Sequence, residues 1–134
     1  MPMFDPATRV LIIDDASSMR QTVKVILEGF GLKDITEATN GNNGWELLNL
    51  ANPPIGLILS DQNMPECTGS ELLKRVRADA RFNKVPFILV TSEGEKQMIV
   101  DAIKAGVSNY ITKPVDAETL KKKLEATADK FSKM

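Results

Sequence analysis

Five short apolar runs alternate with stretches of helical periodicity along this chain, and that alternation limits the fold more than any other feature. The runs are Arg9–Asp14, Asp34–Ala38, Ile55–Ser60, Pro86–Thr91 and Ser108–Thr112. All but the second are rich in Val, Ile or Leu, the pattern of strands buried on both faces of a parallel sheet. In the first intervening stretch, Met19, Val23, Ile26, Leu27 and Phe30 form a core-facing helical stripe. Ser18 and Gln21 are spaced as a capping box at its start, and Gly29 and Gly31 end it. Further helices are expected over Asn43–Ala51, closed by Pro53-Pro54, then over Ser70–Ala78 and Glu95–Ala105, with Gly106 as a C-terminal cap. A last helix starts near Asp116 and puts Leu120, Leu124 and Phe131 on one face. Five β–α repeats with short, right-handed connections predict an α/β fold, a doubly wound five-stranded parallel sheet with five helices. Ligands of such sheets bind outside the carboxyl ends of the strands, so the residues just after each run matter most.

Composition narrows the chemistry. A chain of 134 residues, 43% of them apolar, has material for one core. Residues 1–7 are expected to be a flexible lead-in and 8–134 the domain. The net charge of −1 argues against a nucleic-acid footprint, and Lys121-Lys122-Lys123 reads as a solvated helix face beside Glu118, Glu125 and Asp129. A single cysteine, Cys67, permits no internal disulfide and suits a reducing cytoplasm. There is no signal-peptide pattern at the start and no apolar run near the ~20 residues of a membrane span. The sequence holds no histidine, which removes Ser/His/Asp and Cys/His catalysis and His-ligated zinc sites.

What remains at the strand ends is acidic. Asp14-Asp15 ends the first run and Asp61 the third. Like charges held together are costly unless a cation or protons neutralise them, and an all-oxygen set suits Mg²⁺. The fourth run ends in Thr91-Ser92 and the fifth leads to Lys113-Pro114. A hydroxyl, a backbone N–H and an ammonium are groups that hold phosphate oxygens. Singly, each of these has a plainer reading: a helix cap, a turn residue, a surface lysine. Their joint placement favours a phosphate and metal site.

This set resembles the response-regulator receiver domains, and among them the stand-alone chemotaxis (CheY-like) type. The resemblance is carried by Asp14-Asp15, Ser17-Ser18-Met19-Arg20, Asp61 with Met64-Pro65 and Gly69, Thr91-Ser92, Tyr110 and Lys113-Pro114, and covers about residue 8 to the C-terminus. It implies a flavodoxin-like strand order 2-1-3-4-5 and a phosphorylation-dependent switch of a two-component system. Asp61 would be the nucleophile that takes a phosphoryl group from a sensor histidine kinase. Asp15, Asp61 and the Asn63 carbonyl would bind Mg²⁺, or Mn²⁺ as a substitute, with Asp14 acting through water. Lys113, the Thr91 hydroxyl and the Ser92 N–H would hold the phosphoryl oxygens, and a cis Lys113–Pro114 bond is a candidate. Tyr110 would turn inward with Thr91, changing the face formed by the fourth helix, fifth strand and fifth helix. Asn63 and Glu93 would tune dephosphorylation, with a short-lived phosphorylated form expected. The implied protein is a cytoplasmic monomer that catalyses only its own phosphorylation and dephosphorylation, controls flagellar rotation, and meets the motor switch protein and a phosphatase.

Some positions depart from that pattern. Gln62 stands where Trp is frequent, Glu95 where motor-switching members tend to carry a basic residue, and Val115 where Phe is frequent. Glu95 and Val115 are expected on the output face, so a phosphate sink or a non-motor adaptor stands beside the motor reading. Gly44-Trp45 replaces a usual Ala-Leu pair, and the ring is expected to fill the space the glycine leaves. Cys67 reads as an inert small residue. A Mg²⁺-dependent aspartyl phosphatase of the haloacid-dehalogenase kind would need a second Asp where Asn63 stands. A flavin carrier would meet repulsion from Asp14-Asp15 at its phosphate.

Overall fold

The computed structural model describes residues 4–92 and 96–132, the last two for their backbone only. The chain alternates strand and helix throughout: β1 (Arg9–Ile13), α1 (Ser17–Gly29), β2 (Asp34–Ala38), α2 (Gly41–Leu50), β3 (Leu57–Asp61), α3 (Gly69–Ala78), β4 (Phe87–Thr91), α4 (Lys96–Lys104), β5 (Asn109–Thr112) and α5 (Ala117–Ser132). All strand pairs are parallel, in the order β2-β1-β3-β4-β5. The expected fold and strand order are therefore found.

Burial explains why the strand sequences look as they do. Every residue of β3 and β4 is buried, whereas the edge strands β2 and β5 are mixed. Alternate residues supply opposite faces. Leu11, Ile13, Ile58, Phe87 and Leu89 pack on one face with Leu48, Leu72, Leu73, Val76 and Ala102 of α2, α3 and α4. Val10, Ile12, Leu57, Leu59, Ile88, Val90 and Ile111 pack on the other with Val23, Leu27, Leu120 and Leu124 of α1 and α5. Each buried Leu or Ile contributes roughly 1.5–3 kcal/mol by leaving water, so the two layers carry the fold.

The helix ends correct several expectations. Ser18 and Gln21 form no capping box. The N-cap of α1 is Ala16, with no side-chain cap. Its backbone N–H instead donates to Asp14 Oδ1 at 2.9 Å, so the acid pair takes over the role of a cap. The other end is as expected: Gly31 at φ +89° allows Gly31 N–H to donate to Glu28 O and Leu32 N–H to Leu27 O. Helix α2 begins two residues before Asn43, because Asn40 Oδ1 accepts from the Asn43 N–H at 2.8 Å. Helix α3 carries a full capping box between Thr68 and Glu71. The expected start of α4 at Glu95 lies outside the described residues, as does the side chain of Phe131.

Within the expected lead-in, Phe4 packs against the α1/α5 layer, and Asp5 closes a turn by accepting from Ala7 and Thr8. Trp45 does not fill the space beside Gly44. A Cβ on Gly44 would meet Ile13 Cδ1 at 2.5 Å, so the glycine lets α2 close onto β1. The Trp45 ring turns toward α3 and stacks edge-on with Phe82 at 5.9 Å, under the Arg75 guanidinium.

Candidate functional site

Strand register builds the site. Ile13 pairs with Ser60, so Asp14 and Asp61 emerge side by side, one step beyond. Asp61 pairs with Val90 and Thr91 with Thr112, which brings Thr91 and Lys113 to the same edge. The Lys113 N–H donates to Thr91 O at 2.8 Å, fastening those two strand ends together. Lys113–Pro114 is cis, as the resemblance implied, and Asn52–Pro53 is also cis, which had no sequence expectation.

Oxygens of Asp14, Asp15 and Asp61 lie within 4.8 Å of one another. Asp14 and Asp61 are each only 3% exposed, while Asp15 faces solvent. Burial pushes the Asp14 carboxyl above its ordinary range, with the charges of Asp61 and Asp15 adding to the rise. The Ala16 N–H and the Lys113 charge oppose it. Lys113 Nζ stands 3.1 Å from Asp61 Oδ1 but outside hydrogen-bonding geometry, so Oδ1 is a buried carboxylate oxygen with a charge partner and no hydrogen bond among the described residues. Such an oxygen is costly unless something binds it. A hard divalent cation fits: the cluster is all oxygen, two of its carboxylates are buried, and one side is open to water through Asp15. Asp14, Asp15 and Asp61 would hold it.

Other expected residues fall around this cluster. Thr91 is fully buried and Ser92 half-buried at the end of β4. Asn63 is exposed in the loop two residues after Asp61. Glu93 lies outside the described residues. Tyr110 is half-buried on β5, with the Lys123 ammonium 4.7 Å from its ring centre. Lys123 thus leaves the expected solvated face, while Lys122 pairs with Glu118 at 3.3 Å as a surface lysine does. Val115 is not on the outer face: it is buried and packs in the α1/α5 layer. Cys67 is buried, its thiol directed at Thr68 O.

Two supports were not foreseen. Gln62 Oε1 accepts from the Ser70 N–H at 2.8 Å and from the Ser70 hydroxyl at 2.7 Å, tying the end of β3 to the first turn of α3. Arg20 donates to Asp14 O at 2.7 Å and pairs with Glu37 at 3.1 Å, which fixes the acid pair from behind. Arg20 stood in the sequence as part of the resemblance and Gln62 as a departure from it, but only tertiary structure gives them these partners. Gly69 is a further constraint: a Cβ there would stand against the Asp61 carbonyl oxygen and Leu89 Cδ1, so α3 can start beneath Asp61 only with glycine.

Comparison with known proteins agrees with this geometry. The response regulator receiver domain family matches residues 10–125. Chemotaxis protein CheY1 of Helicobacter pylori is 44% identical over 117 residues, covering 87% of this chain and 94% of the relative. The CheY homolog of Campylobacter jejuni is 44% identical over 117 residues, covering 87% and 89%. Among solved structures, the chemotaxis response regulator CheY4 of Vibrio cholerae superposes with a TM-score of 0.81 at 30% identity, covering 90% of this chain and 98% of that one. The chain therefore belongs to the response-regulator receiver domain family, with CheY proteins among its relatives.

Proposed function

We propose that residues 8–134 form a receiver in which Asp61 accepts the phosphoryl group. The chain is a phosphorylation-dependent signalling switch of the chemotaxis type. The observation that carries the assignment to Asp61 is its setting: a buried carboxylate beside two others, with Lys113 Nζ 3.1 Å from Oδ1. Phosphoryl transfer needs in-line positioning and neutralisation of charge more than covalent help. The ammonium of Lys113 neutralises an oxygen on the attacking side, and Thr91 and Ser92 border the place where the other phosphoryl oxygens would lie. Asp14, Asp15, Asp61 and the Asn63 carbonyl are the groups offered to Mg²⁺, which when bound offsets negative charge on the transferring group. The donor is the phosphohistidine of a sensor kinase, as membership of the receiver family implies, and because this chain has no histidine that residue belongs to the partner.

Phosphorylation adds charge at the edge where Thr91 and Lys113 meet, and those strand ends lead into α4 and α5. A charge change there biases two arrangements of the α4–β5–α5 face, including Tyr110. Flagellar motor control is the output we assign. Val115 is buried in the core, so that departure from the family does not alter the face, and the likeness to CheY proteins supports the motor reading; Glu95 lies outside the described residues. Asn63 and Glu93 set a short phosphoryl lifetime, and turnover is confined to the protein's own acyl phosphate. No helix among the described residues is long and apolar enough to cross a membrane, which agrees with action in the cytoplasm.

The test is phosphoryl uptake from acetyl phosphate, read by intact mass. The expected result is one added phosphoryl group in Mg²⁺, none in EDTA and none for Asp61→Asn. Uptake by Asp61→Asn equal to that of the parent chain would overturn the assignment.

A further inference from the structure

We infer that the groove between α3 and α4, at the end of the sheet opposite Asp61, docks an acidic segment of a partner protein. The groove is a cavity of about 560 Å³ lined by Lys74, Arg77, Ala78, Asp101, Lys104 and Ala105. A second cavity of about 200 Å³ adjoins it through Arg77 and is lined also by Lys84 and Lys130. Five cations thus border one continuous surface on a chain whose net charge is −1. Asp101 is the one carboxylate among the described lining residues.

Apart from the charge of Glu71 near Lys74 and of Asp101 in the groove itself, these cations have little compensation nearby. None of the ion pairs among the described residues involves Lys74, Arg77, Lys84, Lys104 or Lys130, whereas Arg9, Arg20, Lys24, Arg81, Lys113 and Lys122 all have carboxylate partners. Glu71, one turn before Lys74, accepts from the Thr68 N–H, and it meets Lys74 only through space, without an ion pair. Arg77 is held by neutral acceptors: it donates to Gly106 O and Val85 O at 2.8 Å each and to the Ser108 hydroxyl at 3.3 Å. Lys130 likewise donates to Ser108 O at 2.8 Å. Two of the five charges are therefore fixed in place with their charge unspent, so a partner that binds them loses little side-chain freedom.

The lining chemistry selects the class of partner. Neither cavity is lined by an aromatic ring on which a base could stack, and the negative net charge opposes a long phosphate polymer. Ala78 and Ala105 leave room for a peptide backbone between the lysines. Aspartate and glutamate side chains match the spaced ammonium groups and steer encounter electrostatically. Because the groove lies at the far end of the strands, docking there leaves Asp61 accessible, and the inference does not depend on phosphoryl chemistry.

The test is fluorescence anisotropy of a labelled glutamate-rich peptide titrated with the full chain at low and moderate ionic strength. The expected result is saturable, salt-sensitive binding that falls roughly tenfold or more in Lys74→Glu/Lys104→Glu, with loss near 1.4 kcal/mol per tenfold step. The control Lys121→Glu/Lys122→Glu makes the same charge change on α5 and is expected to bind about as the parent does. All four lysines are exposed, and circular dichroism is to check that both variants fold. Absence of saturable binding overturns the inference, as does equal loss in both variants. Competition by an oligothymidylate as effective as by unlabelled peptide overturns the choice of a protein partner.

Discussion

Replacing Asp14 by Asn should stabilise the metal-free protein, although it removes a residue offered to the cation. Asp14 and Asp61 are both buried, with oxygens no more than 4.8 Å apart. Two unit charges at that separation repel by roughly 3 kcal/mol at an effective dielectric of about 20. Lys113 offsets part of this, leaving a net gain of about 1–2 kcal/mol on neutralising Asp14. The substitution keeps the local structure, because an Asn Oδ1 can still accept from the Ala16 N–H that Asp14 now engages at 2.9 Å. For a domain of this size the gain corresponds to a rise in Tm of roughly 4–8 °C in EDTA. The sign with pH is also fixed. A carboxyl whose folded pKa is raised binds its proton more readily folded than unfolded, so its penalty on stability is full above the folded pKa. The penalty is relieved as pH falls through the folded pKa toward the unfolded value near 3.9. The Tm difference between Asp14→Asn and the parent should therefore be largest at neutral pH and shrink as pH falls toward about 4. Saturating Mg²⁺ should shrink or reverse it as well, since the cation neutralises the parent's cluster and binds the variant less well. Thermal denaturation by circular dichroism, with and without EDTA across this pH range, reads all of this. A lower Tm for Asp14→Asn in EDTA, or a difference that ignores both pH and Mg²⁺, would refute the reasoning.

Two further changes probe the loop that follows Asp61. Glu66 is exposed and holds φ at +68°, a left-handed conformation that costs an ordinary L-residue roughly 1–2 kcal/mol. Glu66→Asn should raise stability in urea denaturation by about 0.5–1 kcal/mol, and no change would mean the loop relaxes. Gly69→Ala should cost about 1–3 kcal/mol, because its Cβ drives α3 away from Asp61 and Leu89. It should also slow phosphoryl uptake from acetyl phosphate. Unchanged stability together with unchanged uptake would show that α3 shifts freely.

The architecture was legible because each local signal agreed with the global one. Three apolar runs without alternation, short and bounded by turn residues, read as strands covered on both faces and are so; the fifth run, expected to be the same, is a half-buried edge strand; and Gly31 and Gly106 ended helices where periodicity ended. The acidic edge was legible for the same reason: Asp14, Asp15 and Asp61 end apolar runs, and parallel strands bring their ends together. What escaped was set by contacts distant in sequence. Ser18 looked like a cap, but the Asp14 carboxylate reached the Ala16 N–H first. Val115 looked exposed, yet it completes the α1/α5 layer. Gln62 found Ser70, and Arg20 found Asp14 O and Glu37, through pairings that no spacing rule encodes. Trp45 faces α3 rather than the gap beside Gly44, because Ile13 already fills that gap.

The distribution of unfavourable features has a direction. At the carboxyl edge of the sheet lie Asp14, its carboxyl pushed up by burial, an Asp61 oxygen buried without a hydrogen bond among the described residues, and a left-handed Glu66. At the opposite edge, Arg77 satisfies two carbonyls and a hydroxyl, and Ser108 accepts from Arg77 while its hydroxyl also accepts from the Phe87 N–H at 2.9 Å. One end of β4 and β5 is thus clamped by hydrogen bonds and the other is left electrostatically unresolved. Sequences tend to be locally consistent except where function demands otherwise. An unresolved charge cluster is what lets a small ionic event alter the balance between two arrangements, since a fully satisfied edge would gain little from a cation or a phosphoryl group. At the far end, Arg77 and Ser108 tie the starts of β4 and β5 together, so a charge change at the acidic edge acts on strands held at their other ends.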